Sequence, residues 1–134
     1  MLLPHGATVA VADGKILNLF RNTGDEAAMK LAPLPRQAVA SDNHGSGGRH
    51  VSSSANPDAG QIAEDGFAAG IARMLNSHVL DGSISALVVI AAPRTLGELR
   101  KHYHQKLTGV LLGEIAKDLT GHPVHDVEKT LAAA

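Results

Sequence analysis

Ser85-Ala86-Leu87-Val88-Val89-Ile90-Ala91-Ala92-Pro93 is an unbroken apolar run closed by proline, and its reading decides the fold. A run of this length without polar alternation suits a strand buried on both faces, which calls for packed layers on either side of a sheet. It is far too short to cross a bilayer. Thr95-Leu96-Gly97-Glu98 follows at once as a capping box, with Thr95 at the N-cap and Glu98 three residues on. The helix it opens should carry Leu96, Leu99 and Tyr103 on one face.

Upstream, Asn56-Pro57-Asp58 reads as a helix start, with Asn as cap and Pro at the first helical position. Ile62, Phe67, Ile71, Met74, Leu75 and Val79 then fall near helical spacing, and Asp81-Gly82 supplies the stop. Phe67 and Met74 are expected in the core. Nearer the N-terminus, Thr8-Val9-Ala10-Val11-Ala12 alternates as a strand and closes on Asp13-Gly14, a hairpin signal. Lys15 to Arg21 is a second strand, and Ala28 to Leu34 a short third one stopped by Pro33 and Pro35. Three such strands make an antiparallel meander.

Downstream, Leu107 to Thr120 fits two readings. Leu111, Leu112, Ile115 and Leu119 form a helical stripe, while Leu111, Ile115 and Leu119 also share one face of a strand. His122-Pro123 breaks the segment, and Val124, Val127 and Leu131 mark a last short helix before an unstructured Ala-rich tail. A meander followed by helix, strand, helix, strand and helix is a single α/β domain over residues 1–134 with a mixed sheet. Ligands of such sheets bind beyond the carboxyl ends of the parallel strands, where Pro93-Arg94-Thr95 lies.

Twelve Lys and Arg against thirteen Asp and Glu leave almost no net charge, which argues against a nucleic-acid binder with a strong field over its whole surface. A local basic patch is compatible with that balance. There is no Cys, so neither a disulfide framework nor a thiolate metal site can form. The N-terminus has no basic region followed by a long apolar one, so a cytoplasmic protein without a membrane span is expected.

Between the two patterned halves runs a polar stretch, from about Pro35 to Asn56, that contains His44-Gly45-Ser46-Gly47-Gly48-Arg49. By composition it is a flexible linker. Its three glycines nevertheless offer backbone N–H groups that suit an anion, with cationic or titratable neighbours in His44, Arg49 and His50.

This segment resembles the His-Gly-Xaa-Gly-Gly-Gln loop in the middle domain of archaeal and eukaryotic class-1 peptide release factors. The chain is also similar to a family of bacterial proteins required for attachment to host cells. That likeness rests on Leu3-Pro4-His5-Gly6, Val11-Ala12-Asp13-Gly14, the segment from Ala92 to His102, and Glu114-Ile115-Ala116-Lys117-Asp118-Leu119-Thr120. The resemblance implies a fold like the release-factor middle domain, itself similar to ribonuclease H, with a strand over Val110 to Leu119. It also implies that the loop faces a partner at the domain's edge. Arg49 stands where release factors have Gln, and Arg is larger, donor-only and always charged. Ester hydrolysis by a positioned water is therefore the alternative here. The first reading is a non-enzymatic binding module holding RNA, the ribosome or another anionic partner, with an indirect effect on attachment.

The binding residues expected on this reading are His44, Gly45, Gly47, Gly48 and Arg49 of the loop, together with Arg94, Thr95, Arg100 and Lys101. Arg94 precedes a helix N-terminus, a place that favours anions. Arg100, Lys101 and His102 also read as a solvated helix end. Asp13 reads as a turn former and Glu98 as part of the capping box. His102-Tyr103-His104 and His122-Pro123-Val124-His125-Asp126 match no defined zinc signature, so no metal and no cofactor are expected. The chain has no phosphate loop, dinucleotide fingerprint or Ser-His-Asp order.

Overall fold

The apolar run becomes β4 (Leu87–Ala91), whose residues are all completely buried. A computed structural model describes residues 1–40 and 59–134. Within it β4 lies between β1 (Thr8–Ala12) and β5 (Leu111–Ala116), parallel to both. On its other side β1 pairs antiparallel with β2 (Leu17–Asn22), and β2 pairs antiparallel with β3 (Leu31–Pro33). The sheet is therefore mixed, with the order β3-β2-β1-β4-β5.

Side-chain alternation divides the sheet between two cores. Ala10, Ala12, Leu87, Val89 and Ala91 face α1 (Ala59–Leu80), α2 (Pro93–Arg100) and α3 (Gln105–Val110), meeting Ile71, Leu75, Leu99 and Leu107. Val9, Val11, Val88 and Ile90 face the other way, against Leu3, Leu119 and the α4 (Val124–Ala133) residues Val127 and Leu131. Both faces of the central strands are thus dry, which is why their sequence shows no polar alternation.

Three expectations change in detail. Leu107 to Thr120 is neither wholly helix nor a strand over Val110 to Leu119: α3 ends at Val110 and β5 occupies Leu111–Ala116. The third strand is only Leu31–Pro33, because Asp25 turns the chain by accepting from the Ala28 backbone N–H at 2.8 Å. The Ala-rich tail is helical as far as Ala133, as befits the residue with the highest helix propensity.

The buried face of α1 also differs from the expected stripe. Gly66, Ala68, Ala69, Gly70, Ile71, Ala72 and Leu75 are buried, Phe67 and Met74 pack only partly against the core, and Ile62 is exposed. Small residues let neighbouring backbone approach closely. After β3 the chain crosses α1 as a strap: Leu34 N–H donates to the Leu19 carbonyl at 2.8 Å, and the Ala40 carbonyl sits where a Cβ of Gly70 would stand. The expected cap Asn56 lies outside the described residues, whereas Gly82 ends the helix with φ of 88°.

The capping box at Thr95 does not form. Pro93 takes the first helical position, Ala92 becomes the N-cap without a side-chain bond, and Thr95 is buried inside the first turn. Proline's fixed φ starts the helix earlier than the Thr–Glu spacing implied. Ala92→Ser should therefore supply the missing cap and stabilise the protein by about 1 kcal/mol, measured from the urea midpoint. An unchanged or lower midpoint would mean that the half-buried position cannot orient the hydroxyl.

Candidate binding site at the carboxyl edge of the sheet

The carboxyl ends of β1, β4 and β5 form one edge, built from the Asp13 turn, the Ala92–Arg94 corner and the Lys117–Thr120 segment. Asp13 Oδ1 accepts the backbone N–H groups of Lys15 and Ile16 at 2.8 and 2.7 Å, so its carboxylate does form the turn. Its second oxygen accepts the Thr120 hydroxyl at 3.0 Å, and Asn18 donates to the Thr120 carbonyl at 3.2 Å. These bonds tie the β1–β2 turn to the segment after β5. The side chain of Glu64, near the start of α1, lies over Gly14 in the space a Cβ there would need.

Arg94 stands exposed on this edge and makes no ion pair or hydrogen bond with any described residue. Its expected partners in binding are placed differently. Arg100 donates to Glu114 Oε1 through Nε at 3.0 Å and Nη2 at 2.9 Å. Lys101 pairs with Glu98 at 3.0 Å, and His102 approaches the other Glu98 oxygen at 3.3 Å. Partial burial pushes the Glu98 carboxyl up, but the hydrogen bonds and charges of Lys101 and His102 outweigh it and hold the group below its ordinary range. Of the basic cluster, Arg94 alone is left without a counter-charge among the described residues. The loop residues His44, Gly45, Gly47, Gly48 and Arg49 lie outside them.

Glu114 reaches Arg100 because of a bulge. Leu87 pairs with Leu111 but Val88 with Gly113, so Leu112 is extra and the alternation slips by one. Leu111 and Glu114 therefore share the side of the sheet covered by α2 and α3. There Tyr103 donates to Glu114 Oε2 at 3.2 Å. Sequence reading gave Glu114 no role, since a bulge leaves no mark in the residue pattern.

Burial, followed by the Glu114 carboxylate and its hydrogen bond, pushes the Tyr103 hydroxyl well above the usual tyrosine range. The neutral phenol's contribution to stability is complete below the unfolded value near 10 and declines as pH rises past it. Tyr103 is the single tyrosine, so ultraviolet titration reads it alone. Glu114→Gln should move that titration downward while leaving it above an ordinary tyrosine, because the burial remains. A wild-type midpoint at the ordinary value would show that this contact is open to water.

The histidine pairs considered for zinc have other partners. His104 caps α3 by accepting from Lys106 N–H at 2.9 Å, and His122 pairs with Asp126 at 3.1 Å. Among the described residues no three His, Asp or Glu side chains gather as a metal site, and no helix is long and apolar enough to cross a membrane.

No curated protein matches this chain. A family model does match, over residues 6–131, and its description is bacterial archaeo-eukaryotic release factor family 12. That match spans all five strands, the first three helices and most of α4, and it bears out the release-factor likeness. With nearly its whole length accounted for in this way, the chain belongs to the bacterial archaeo-eukaryotic release factor family 12.

Proposed function

We propose that this protein is a cytoplasmic, translation-related binding module that holds RNA of the ribosome through Arg94 and the glycine loop His44 to Arg49. The observation that carries this reading is Arg94, exposed at the carboxyl edge with no counter-charge among the described residues, whereas Arg100 and Lys101 of the same cluster have partners of their own. Family membership supports the translation setting. The loop's attachment supports its share: the chain leaves the described residues at Ala40 and rejoins them at Ala59, where α1 begins at the Gly14–Glu64 end of the sheet. Arg100 and Lys101 stand at the other end of α2, and Glu114 and Glu98 already offset their charges, so they contribute less. Thr95 acts by seating α2 and not by touching the partner. An effect on attachment to host cells would follow indirectly, through translation.

Pull-down of RNA and ribosomes at low salt tests the reading. Arg94→Ala should weaken recovery and flatten its dependence on log salt by roughly 0.7–0.9, the increment for one phosphate contact. Stability should change by no more than about 0.5 kcal/mol, since the side chain is exposed. Failure to recover RNA, or recovery unchanged in Arg94→Ala combined with Arg49→Ala, overturns it.

The family match favours one other reading, ester hydrolysis of peptidyl-tRNA. In that case the N–H groups of Gly47 and Gly48 would support the attacked ester, with Arg49 neutralising the developing oxyanion. Single-turnover release from labelled peptidyl-tRNA that disappears in Gly48→Ala supports hydrolysis. No release above background, with and without ribosomes, removes it.

A further inference from the structure

At the end of the sheet opposite Arg94, a cavity of about 210 Å³ lies between the strap, the start of β1, β2 and the last turns of α1. A void of one water needs only about 10–15 Å³, so this one has room for a small molecule. Leu19, Leu34 and Ile84 make it partly apolar, and its polar groups converge from four segments.

Thr8 is almost fully buried, and its hydroxyl has no hydrogen-bond partner among the described residues. On the neighbouring strand Arg21 pairs in register with Thr8, so both side chains stand on the same face of the sheet. Arg21 is exposed at the rim and makes no ion pair with a described residue. His78, from α1, places Nε2 against the Gln37 side-chain oxygen at 2.9 Å. With the Gln37 oxygen as acceptor, the neutral His78 ring carries its proton on Nε2 and offers Nδ1 as an acceptor. Among the described residues Nδ1 is likewise buried without a hydrogen bond, with an Asp81 carboxylate oxygen 3.8 Å away.

Native proteins leave few buried polar atoms unsatisfied, and two such atoms lining one cavity are an unexplained pair. Their chemistry is complementary: a hydroxyl and a guanidinium that can donate, and an imidazole nitrogen that can only accept. We propose that this cavity binds a small oxyanion carrying its own O–H donor, its charge held by Arg21 and Thr8 and its hydroxyl donating to His78 Nδ1. A small hydroxycarboxylate and hydrogen phosphate both meet that description, and a simple carboxylate does not. The site is separate from Arg94 and independent of RNA binding.

The test uses the full chain at about pH 8, with calorimetry and thermal melts at constant ionic strength. Glycolate and inorganic phosphate are the probes, and acetate is the control that lacks the hydroxyl. Glycolate should bind at least about tenfold more tightly than acetate, the worth of one good hydrogen bond. A phosphate response without a glycolate response would assign the site to phosphate. Arg21→Gln should weaken binding roughly tenfold or more while leaving the free protein's melting temperature in place. Thr8→Val should raise the melting temperature of the free protein, by removing an unpaired buried hydroxyl, and abolish the ligand response. Arg94→Ala should leave all of this unchanged. The proposal fails if neither glycolate nor phosphate binds, which would make the cavity a water site. It also fails if binding survives both Arg21→Gln and Thr8→Val.

Discussion

Ile90→Ala should remove about 2–5 kcal/mol of folding free energy, the largest effect expected from any single truncation considered for this chain. Ile90 is completely buried in the middle of β4, on the face that meets Leu3, Leu119, Val127 and Leu131. Its strand is hydrogen-bonded on both sides, to β1 through Val11 and to β5 through Ile115, so the backbone cannot close over the void. The cost therefore combines lost transfer energy with an unrelieved cavity. Against a typical total of roughly 5–15 kcal/mol, a change of that size removes a large part of the protein's stability. Leu112→Ala offers the contrast: Leu112 is the bulge residue, 45% exposed, and its truncation should stay within about 0.5 kcal/mol. Urea unfolding at unchanged slope measures both. A cost below about 1 kcal/mol for Ile90→Ala would mean that α4 does not pack on this face as described.

Gly70→Ala is expected to destabilise the protein by about 1–3 kcal/mol, although the same change in an exposed helix gains roughly 1 kcal/mol from propensity. The sign reverses because a Cβ at Gly70 would stand 2.0 Å from the Ala40 carbonyl oxygen, a backbone atom that cannot swing aside. The strap must lift instead. The Leu34–Leu19 hydrogen bond and the Gln37–His78 contact lie along the same strap, so both should loosen. Faster amide exchange at Leu34 in the variant would report this. A gain in stability with unchanged exchange would show that the strap does not sit on α1.

The layered α/β architecture was legible in the sequence wherever burial is symmetric or local chemistry is strong. Leu87–Ala91 reads as a doubly buried strand because no residue in it faces water. Asp13 reads as a turn former because its carboxylate needs only neighbours two and three residues away. Where two local signals competed, the stronger covalent constraint won: Pro93 opened α2 ahead of the Thr95–Glu98 pattern. The face of α1 was misjudged because periodicity gives weight to large side chains. Contact with the strap and sheet instead selected Gly66, Ala68, Ala69 and Gly70.

For the candidate site, sequence alone picked out Arg94 as the cation at the turn after the buried strand, and the glycine loop as the carrier of the family likeness. It could not separate Arg94 from Arg100 and Lys101, since whether a charge is free depends on carboxylates brought from elsewhere. Glu114 reaches Arg100 only through the register slip at Leu112. Nor could it show Asn22 as fully buried, donating to the Leu3 and Pro4 carbonyls and accepting from Gly24 and Lys30. Thr8 and His78 are 70 residues apart in the chain, and no local pattern distinguishes them from ordinary strand and helix positions. Short-range patterning thus determined which segments form strands and helices. Tertiary packing decided which polar groups are neutralised and which are left without a partner among the described residues, because that depends on partners supplied by distant parts of the chain.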